Sequence, residues 1–309
     1  MANKGLRRAF GPVAMLLGVL ALCTSAYGTE ETPGFARLRP PDAPVKLFVE
    51  EKGNGSPLLL IHGFGASTFT WRQIAPGLAR RHRVIAVDLK GFGQSDKPFD
   101  EQYSVFDQAE LLKQLIVDKD LRDLTLVGHS FGGGVALVLA LDEDPRLKGR
   151  ISKLVLLDTI AYPQDIPVAF KMLDMPLVSH LGVRMLPPAV QARLALRIAY
   201  LDNSKIDEEE VETYAAPLRT AAGKHAIIHS ARQIVPEDLE EVSKRFGSIK
   251  MPTLIVWCDY DRIVPLDVGL KLRRTLPNAR LEIIEGCGHM PQEEQPEATL
   301  SLIEGFLGD

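Results

Sequence analysis

The fold is decided by residues 124–140, which read LTLVGHSFGGGVALVLA. The first four residues are apolar or β-branched, a composition typical of a buried strand. The last eight are small and apolar and predict a helix that begins with glycines. Between them, GHSFG at 128–132 matches the G-x-S-x-G pattern of a sharp strand-to-helix turn that exposes its serine. The stretch therefore predicts a nucleophilic Ser130 at the end of a strand.

Short runs rich in valine, leucine and isoleucine recur on both sides of this stretch and alternate with longer amphipathic segments. Near-continuous apolar runs suit strands that are covered on both faces. The alternation predicts an α/β fold, with a mostly parallel central sheet flanked by helices. The predicted strands are Val45–Glu50, Pro57–Ile61, Arg83–Val87, Leu124–Gly128, Lys153–Leu157, Thr253–Cys258 and Arg280–Ile284. The predicted helices are Ser67–Arg81, Tyr103–Asp118, Phe131–Leu141, Val264–Leu276 and Pro296–Phe306.

The alternation stops between about Ile160 and Pro252, an interval that contains no apolar run typical of a buried strand. Asp207 with Glu210 three residues later indicates a helix start. We therefore expect a core formed by 45–159 and 236–309, and an inserted helical lid formed by 160–235. A plain helical excursion of the core is the alternative. The helices predicted here are Pro188–Leu201, Asp207–Ala222 and Lys224–Ile234. The apolar residues that either line an acyl pocket or pack the lid's own core are Phe170, Met172, Leu173, Leu177, Leu181 and Met185.

The first 28 residues have the layout of a secretory signal peptide. Cationic residues precede the apolar run Pro12–Cys23, and small residues follow it. The run is about a dozen residues long, shorter than the roughly 20 that a membrane-spanning helix needs. We expect a signal peptide at 1–28, a proline-containing linker at 29–44, and export to the periplasm or beyond, with no stable membrane span once the signal is removed. An uncleaved N-terminal anchor is the alternative.

Composition narrows the function classes. The chain has 309 residues, 46% of them hydrophobic, which is enough for one large core with an insertion. Its formal net charge of −4 argues against nucleic-acid binding. The sequence shows neither a cluster typical of metal ligands nor a phosphate-binding loop, so we predict no cofactor and no metal.

A serine hydroxyl is a weak nucleophile at neutral pH, and it needs a base that a carboxylate orients. His289 fits the base, because it follows a strand and a loop with two glycines that can place an imidazole at the sheet edge. We expect the acid at the end of the preceding strand, where Asp261 is the prediction and Asp259 the nearer rival. Asp158, which ends another strand, is the second rival.

An oxyanion hole needs two backbone N–H donors. Phe131, which follows the serine, supplies one, and Phe64, in the glycine-containing loop 62–65 after an early strand, supplies the other. Losing one such donor costs about 3 kcal/mol of transition-state stabilisation. His62 and His129 adjoin these groups, and we interpret both as positional.

Together these motifs resemble the α/β-hydrolase family over about residues 45–306. The resemblance is strongest to the branch that holds lid-bearing esterases, C–C bond hydrolases of ring-cleavage products, epoxide hydrolases and haloalkane dehalogenases. It implies that the last two classes use an aspartate as nucleophile, so Ser130 points instead to acyl transfer. The matching segments are HGFG at 62–65, DLKGFGQS at 88–95, GHSFG at 128–132, DRIVP at 261–265 and Gly288-His289.

Cys258 and Cys287 precede the loops of the expected acid and base. In the fold that the resemblance implies, these strand ends are neighbours. An oxidising compartment would allow a disulfide between them, while buried thiols are the alternative, and both remain open.

We therefore predict an enzyme, a serine hydrolase that cleaves carboxylic esters or related small-molecule acyl substrates. It would use Ser130, His289 and Asp261 and form an acyl-enzyme intermediate. A C–C bond hydrolase of a diketone-type ring-cleavage product is the first alternative. A non-catalytic ligand-binding protein of the same fold is an alternative from another class. The sequence leaves the natural substrate, the acyl length and the oligomeric state open.

Overall fold

A computed structural model of the protein describes residues 44–163, 186–235 and 239–308. The predicted signal peptide and all but the last residue of the predicted linker lie outside the described residues. The apolar lid residues named above, between 170 and 185, also lie outside them. Within the described ranges, we find no helix that is both long and apolar enough to cross a bilayer.

A seven-stranded sheet forms the centre of the described chain. The strands are β1 (Val49–Lys52), β2 (Ser56–Ile61), β3 (His82–Val87), β4 (Leu124–His129), β5 (Ile151–Leu157), β6 (Thr253–Cys258) and β7 (Ala279–Ile284). Their spatial order is β1-β3-β2-β4-β5-β6-β7, and every neighbouring pair is parallel except β1 with β3. The mostly parallel sheet is thus confirmed. Each predicted strand overlaps an observed one, although the first, predicted at Val45–Glu50, shares only Val49 and Glu50 with β1.

Helices flank this sheet. In the described residues they are α1 (Ala75–Leu78), α2 (Val105–Asp118), α3 (Phe131–Leu141), α4 (Pro188–Ala199), α5 (Glu208–Ala215), α6 (Ala221–Arg232), α7 (Leu239–Lys244), α8 (Leu266–Thr275), α9 (Pro291–Glu294) and α10 (Pro296–Leu307). The continuous helix predicted for Ser67–Arg81 is wrong. A 3-10 turn at Thr68–Trp71 and the short α1 replace it. Pro76 explains the break, because proline lacks an N–H and is tolerated only in the first turn of a helix, where it lies here.

Alternate residues of the strands face opposite sides of the sheet and enter two buried clusters. Leu59 and Ile61 of β2 belong to the cluster that includes α2, α3 and α8 residues. Leu58 and Leu60 belong to the cluster that includes α1 and α10 residues. Burial of each such side chain contributes about 1.5–3 kcal/mol. Both faces are therefore apolar, which is why the strands read as uninterrupted apolar runs.

Within the helical insertion between β5 and β6, α5 begins as predicted from its capping residues. The Asp207 side chain accepts the Glu210 N–H (2.7 Å) and caps α5. Leu196 of α4 and Val211 of α5 then pack together in a small apolar cluster. Met290, which follows the predicted base in sequence, is also in this cluster. The insertion is thereby anchored beside the expected site.

Candidate active site

Ser130 lies in the sharp turn between β4 and α3. Its φ is +51° and its ψ −115°, a conformation that residues other than glycine rarely adopt. Such strain persists only where the surroundings hold the residue. Here the Ser130 N–H donates to the Leu157 carbonyl (2.9 Å), and the Ser130 carbonyl accepts from the N–H groups of Gly133 (3.0 Å) and Ile160 (3.2 Å). The neighbouring strand and the first helical turn therefore fix the serine.

The two glycines that flank Ser130 allow backbones to approach closely. A Cβ on Gly128 would lie 2.5 Å from the Gly132 carbonyl oxygen. A Cβ on Gly132 would lie 2.2 Å from the carbonyl oxygen of Ile61 in β2. Both distances are far inside normal contact, so any side chain would displace backbone. The G-x-S-x-G pattern thus meets a steric requirement of this turn.

His289 lies on the loop after β7 and reaches the serine. Its Nε2 lies 2.9 Å from Ser130 Oγ. The backbone N–H of His289 donates to the carbonyl of Ala199, the last residue of α4 (2.6 Å). A Cβ on Gly288 would lie 2.3 Å from that same carbonyl oxygen, so glycine is needed for this approach. The insertion and the histidine loop therefore position the imidazole together.

Asp261, rather than either rival carboxylate, hydrogen-bonds to the imidazole. Its Oδ2 lies 2.7 Å from His289 Nδ1. Its Oδ1 accepts the N–H groups of Ile263 (2.7 Å) and Val264 (2.9 Å), which hold the carboxylate in place. The structure thus forms a hydrogen-bonded chain from Asp261 through His289 to Ser130.

The rival carboxylates have other partners. Asp259 accepts the Cys287 N–H at 3.3 Å and so joins the two loops without binding the imidazole. Asp158 is fully buried and accepts the Cys258 N–H at 3.0 Å. One ligand atom each of Asp158, Asp261 and His289 lies within 4.8 Å of the others, close enough to hold a cation. The hydrogen bond between Asp261 and His289 already engages two of those atoms.

A disulfide joins the loops that carry the acid and the base. Cys258 ends β6 and Cys287 precedes Gly288, and their Cα atoms are 4.9 Å apart. The Tyr260 N–H also donates to the Cys287 carbonyl (3.1 Å). Of the two alternatives left open by the sequence, the structure shows the bridge.

Glu294 in α9 is a structural residue of the site that sequence reasoning missed. This carboxylate is almost fully buried. Its Oε2 accepts the N–H groups of Leu201 (2.9 Å) and Gly288 (3.2 Å), and thus joins the end of the insertion to the histidine loop. Both partners are backbone groups. Leu201 lies 93 positions away in the sequence, so no local pattern could have indicated that contact.

The two histidines interpreted as positional bind backbone groups near the site. His62 accepts the Leu89 N–H at Nε2 (2.9 Å), so its Nδ1 carries the proton and donates to the Gly63 carbonyl (2.7 Å). His129 Nε2 lies 2.7 Å from the His289 carbonyl oxygen and donates to it. Burial lowers the pKa of both imidazoles, and the nearby His289 lowers that of His129 further. Each therefore stays neutral and orients a loop.

The backbone of the loop that carries Phe64 lies against Ser130. A Cβ on Gly63 would lie 3.2 Å from Ser130 Cβ and 2.8 Å from His129 Nδ1. Phe131, the other residue predicted to contribute an N–H, is the first residue of α3 and directly follows the serine. The structure thus places both predicted oxyanion segments next to Ser130.

A cavity of about 420 Å³ opens onto Ser130 and His289. Most of its described lining is aliphatic and comes from the insertion. The insertion residues are Leu186, Gln191, Ala192, Leu194, Ala195, Leu196, Ile198, Ala199, Tyr214, Leu218, Ile227, Ile234 and Val235. Ile160, the first residue of the insertion, also lines the cavity. From the remaining described chain, Phe64, Ile263 and Met290 add further apolar surface.

A cluster of buried polar side chains joins the insertion to the α/β core. Glu293 accepts hydrogen bonds from Tyr214 Oη (2.6 Å) and Thr70 Oγ1 (2.6 Å) and pairs with Arg72. Glu210 of α5 also pairs with Arg72, at 3.3 Å. Burial, followed by the adjacent Glu210, raises the pKa of Glu293 to about 8. The two carboxylates thus lie together in an environment that disfavours double ionisation.

Comparisons with known proteins agree with the fold. A family model described as alpha/beta hydrolase fold matches residues 56–296. An uncharacterized hydrolase of Bacillus subtilis (strain 168) is 32% identical over 255 residues, covering 81% of this chain and 89% of that protein. A 2-hydroxymuconate semialdehyde hydrolase of Pseudomonas sp. (strain CF600) is 30% identical over 273 residues, covering 86% and 92%. A solved thermophilic esterase from Thermogutta terrifontis has a TM-score of 0.71 at 26% identity, covering 85% of this chain and 93% of that chain.

Proposed function

Because the chain belongs to the α/β-hydrolase fold family, we propose that it is a serine hydrolase that cleaves carboxylic esters and related acyl substrates. One observation carries the proposal: Ser130 Oγ, His289 and Asp261 form a continuous hydrogen-bonded chain, with links of 2.9 Å and 2.7 Å. Binding alone does not require a serine, an imidazole and a carboxylate to be aligned in this way.

The mechanism follows from the order of these hydrogen-bonded groups. Ser130 Oγ attacks the acyl carbonyl while His289 Nε2 accepts the hydroxyl proton, and Asp261 stabilises the imidazolium that forms. The backbone N–H groups of Phe64 and Phe131 bind the oxyanion. His289 then gives its proton to the leaving alkoxide, which departs and leaves an acyl-serine. Water attacks this ester with His289 again as base, releasing the acid and regenerating Ser130.

The cavity favours uncharged acyl groups. Its described lining is predominantly aliphatic, with Leu194 and Ile198 of α4 and Ile227 of α6 among the contributors. Burial of an alkyl chain against such side chains contributes about 0.8 kcal/mol for each CH₂ group. We therefore propose that short to medium alkyl esters are turned over faster than acetate esters.

Cleavage of a C–C bond in a diketone-type compound is the second candidate. The similarity to a 2-hydroxymuconate semialdehyde hydrolase is the observation that favours it. Ser130 and His289 could serve that reaction without rearrangement, because addition to a ketone carbonyl also needs an activated oxygen nucleophile and an oxyanion site. The difference lies in the leaving group, which is then a carbanion stabilised by the neighbouring oxo group.

Turnover of the two classes of substrate, measured in parallel, tests the two proposals. The full-length protein is incubated with p-nitrophenyl esters from acetate to decanoate and, in parallel, with a 2-hydroxy-6-oxo-dienoate. We expect ester turnover that rises with acyl length to an optimum and is lost in Ser130→Ala. The matched control is Ser248→Ala, which removes an exposed hydroxyl outside the cavity and leaves turnover unchanged.

Each outcome has a distinct meaning. Turnover of the dienoate at a much higher kcat/KM than any ester would replace the ester assignment by C–C hydrolysis. Turnover of neither substrate by folded protein favours the ligand-binding alternative. Ester turnover that survives in Ser130→Ala contradicts both enzymatic proposals.

We propose in addition that residues 160–235 act as a lid and that the protein is exported. The lid is supported by α4 and α6, which supply much of the cavity lining. Leu194→Trp should shift the preferred acyl length downward, and an unchanged preference contradicts the lid proposal.

Export is supported by the signal-like residues 1–28. Mass spectrometry of protein from the exported fraction should show loss of these residues, and a full-length cytosolic product contradicts export.

A further inference from the structure

Asp158 lies close to Asp261, the acid of the site, although the sequence offered it only as a rival for that role. It directly follows β5, and its N–H donates to the Val256 carbonyl (3.1 Å). Its φ of +41° is in the region that L residues seldom adopt. Its side chain is fully buried, and Oδ1 accepts the Cys258 N–H (3.0 Å). A strained, buried aspartate of this kind needs a physical reason for its position.

The second oxygen of Asp158 lacks a donor. Among the described residues, Oδ2 is buried without any hydrogen-bond partner, and the Asp158 side chain interacts with that of Asp261. Asp261 has more hydrogen-bond donors, because its carboxylate accepts two backbone N–H groups and also binds His289. One oxygen atom of Asp158 lies within 4.8 Å of one of Asp261. Two buried carboxylates this close cannot both be ionised cheaply.

The number of hydrogen-bond donors around Asp158 and Asp261 indicates which of the two carboxyl groups is protonated. Asp261 has three donors that stabilise its charge, while Asp158 has one. Burial, followed by the charge of Asp261, raises the pKa of Asp158 well above its ordinary value, and Glu294 raises it further. A proton on Asp158 also satisfies its buried oxygen, because the hydroxyl then has Asp261 as an acceptor.

We propose that Asp158 is a positioning residue of the site: it holds the proton of an Asp158–Asp261 carboxyl pair and donates it as a hydrogen bond to Asp261. The inference rests on the proposed function only for its consequence on catalysis. The donated bond fixes the charge of the pair on Asp261, the carboxylate that contacts His289, and withdraws part of that charge from the imidazole. Among the described residues, the titratable groups shown to interact with the pair are His289, which binds Asp261, and Glu294, whose charge acts on Asp158.

Two substitutions distinguish a neutral Asp158 that donates a hydrogen bond from an ionised Asp158 that acts as the catalytic acid. Asp158→Asn keeps an oxygen for the Cys258 N–H and an amide N–H for Asp261. Asp158→Leu has a similar size and keeps neither. If Asp158 is a neutral donor, the asparagine variant retains kcat within about threefold, whereas removing the charge of a true triad acid costs about 10⁴-fold.

The decisive readout is the titration of the His289 imidazole, followed by NMR of histidine-labelled full-length protein, because it does not require turnover. Without the donated bond, the Asp261 charge acts fully on His289. The titration midpoint should therefore rise by about one pH unit in Asp158→Leu and stay within about 0.3 units of wild type in Asp158→Asn. The acidic limb of the kcat/KM profile should move in the same direction, and KM should change little.

The possible results distinguish this inference from the proposed function. A merely structural role of Asp158 would lower activity without moving the His289 titration, and that result overturns the inference. A midpoint in Asp158→Asn that shifts as far as in Asp158→Leu also overturns it. If wild type turns over no substrate but the two titrations behave as expected, the carboxyl pair is established and the proposed function alone fails.

Discussion

Reduction of the Cys258–Cys287 disulfide should lower the free energy of unfolding by about 3.6 kcal/mol. The two cysteines are 29 positions apart. The loop-entropy relation for a closed loop of that length gives about 12 cal/mol/K, or about 3.6 kcal/mol at 25 °C. The bridge links the end of β6 to the loop that carries His289, so the reduced protein should also lose ester turnover before it unfolds globally.

Equilibrium unfolding in urea measures this effect. Oxidised protein is compared with protein that was unfolded and refolded in reductant, since both cysteines are fully buried in the folded state. The control is the double variant Cys258→Ala/Cys287→Ala, whose stability should be insensitive to reductant. Coincident unfolding curves for oxidised and reduced wild type would refute the reasoning, as would a double variant that responds to reductant as wild type does.

Three further results are expected from buried groups near the site. Glu294→Ala leaves three backbone N–H groups without their acceptor, so the free energy of unfolding should fall by at least about 3 kcal/mol in denaturant titrations, and it should fall less in Glu294→Gln because one acceptor oxygen remains. Burial raises the pKa of Glu293 to about 8 from an ordinary 4.5; its ionisation therefore opposes folding, and wild type should lose stability relative to Glu293→Gln as the pH rises from about 5 to about 8. A flat difference over that window contradicts this explanation. Gly132→Ala places a Cβ 2.2 Å from a β2 carbonyl oxygen and should cost about 1–3 kcal/mol in thermal melts, whereas Gly305→Ala, where a Cβ meets nothing within 4 Å, should not destabilise.

The sheet could be predicted from the sequence because its strands are buried on both faces. Leu58 to Ile61 are all fully buried, so the strand appears as an uninterrupted apolar run. The turn at Ser130 could be predicted because its steric demands select glycine at 128 and 132. Each of these signals is local, arising from residues a few positions apart.

Contacts between distant residues left no comparable pattern. Glu294 meets Leu201 from 93 positions away, and Arg72 meets Glu210 from 138 positions away. Asp158 could be named as a candidate acid, but its place against Asp261 follows from the order of β5 and β6 in the sheet. The apolar spacing of Ser67–Arg81 predicts one continuous helix. That prediction gave too little weight to Pro76, which breaks the helix locally.

The catalytic role of Ser130 is tested most directly by covalent labelling with a fluorophosphonate, followed by peptide mapping of the intact chain. The predicted result is a single phosphonyl adduct on the peptide that contains Ser130, formed at a rate that falls sharply in His289→Ala. An adduct on another residue, or folded protein that turns over esters without any adduct at Ser130, would contradict the account.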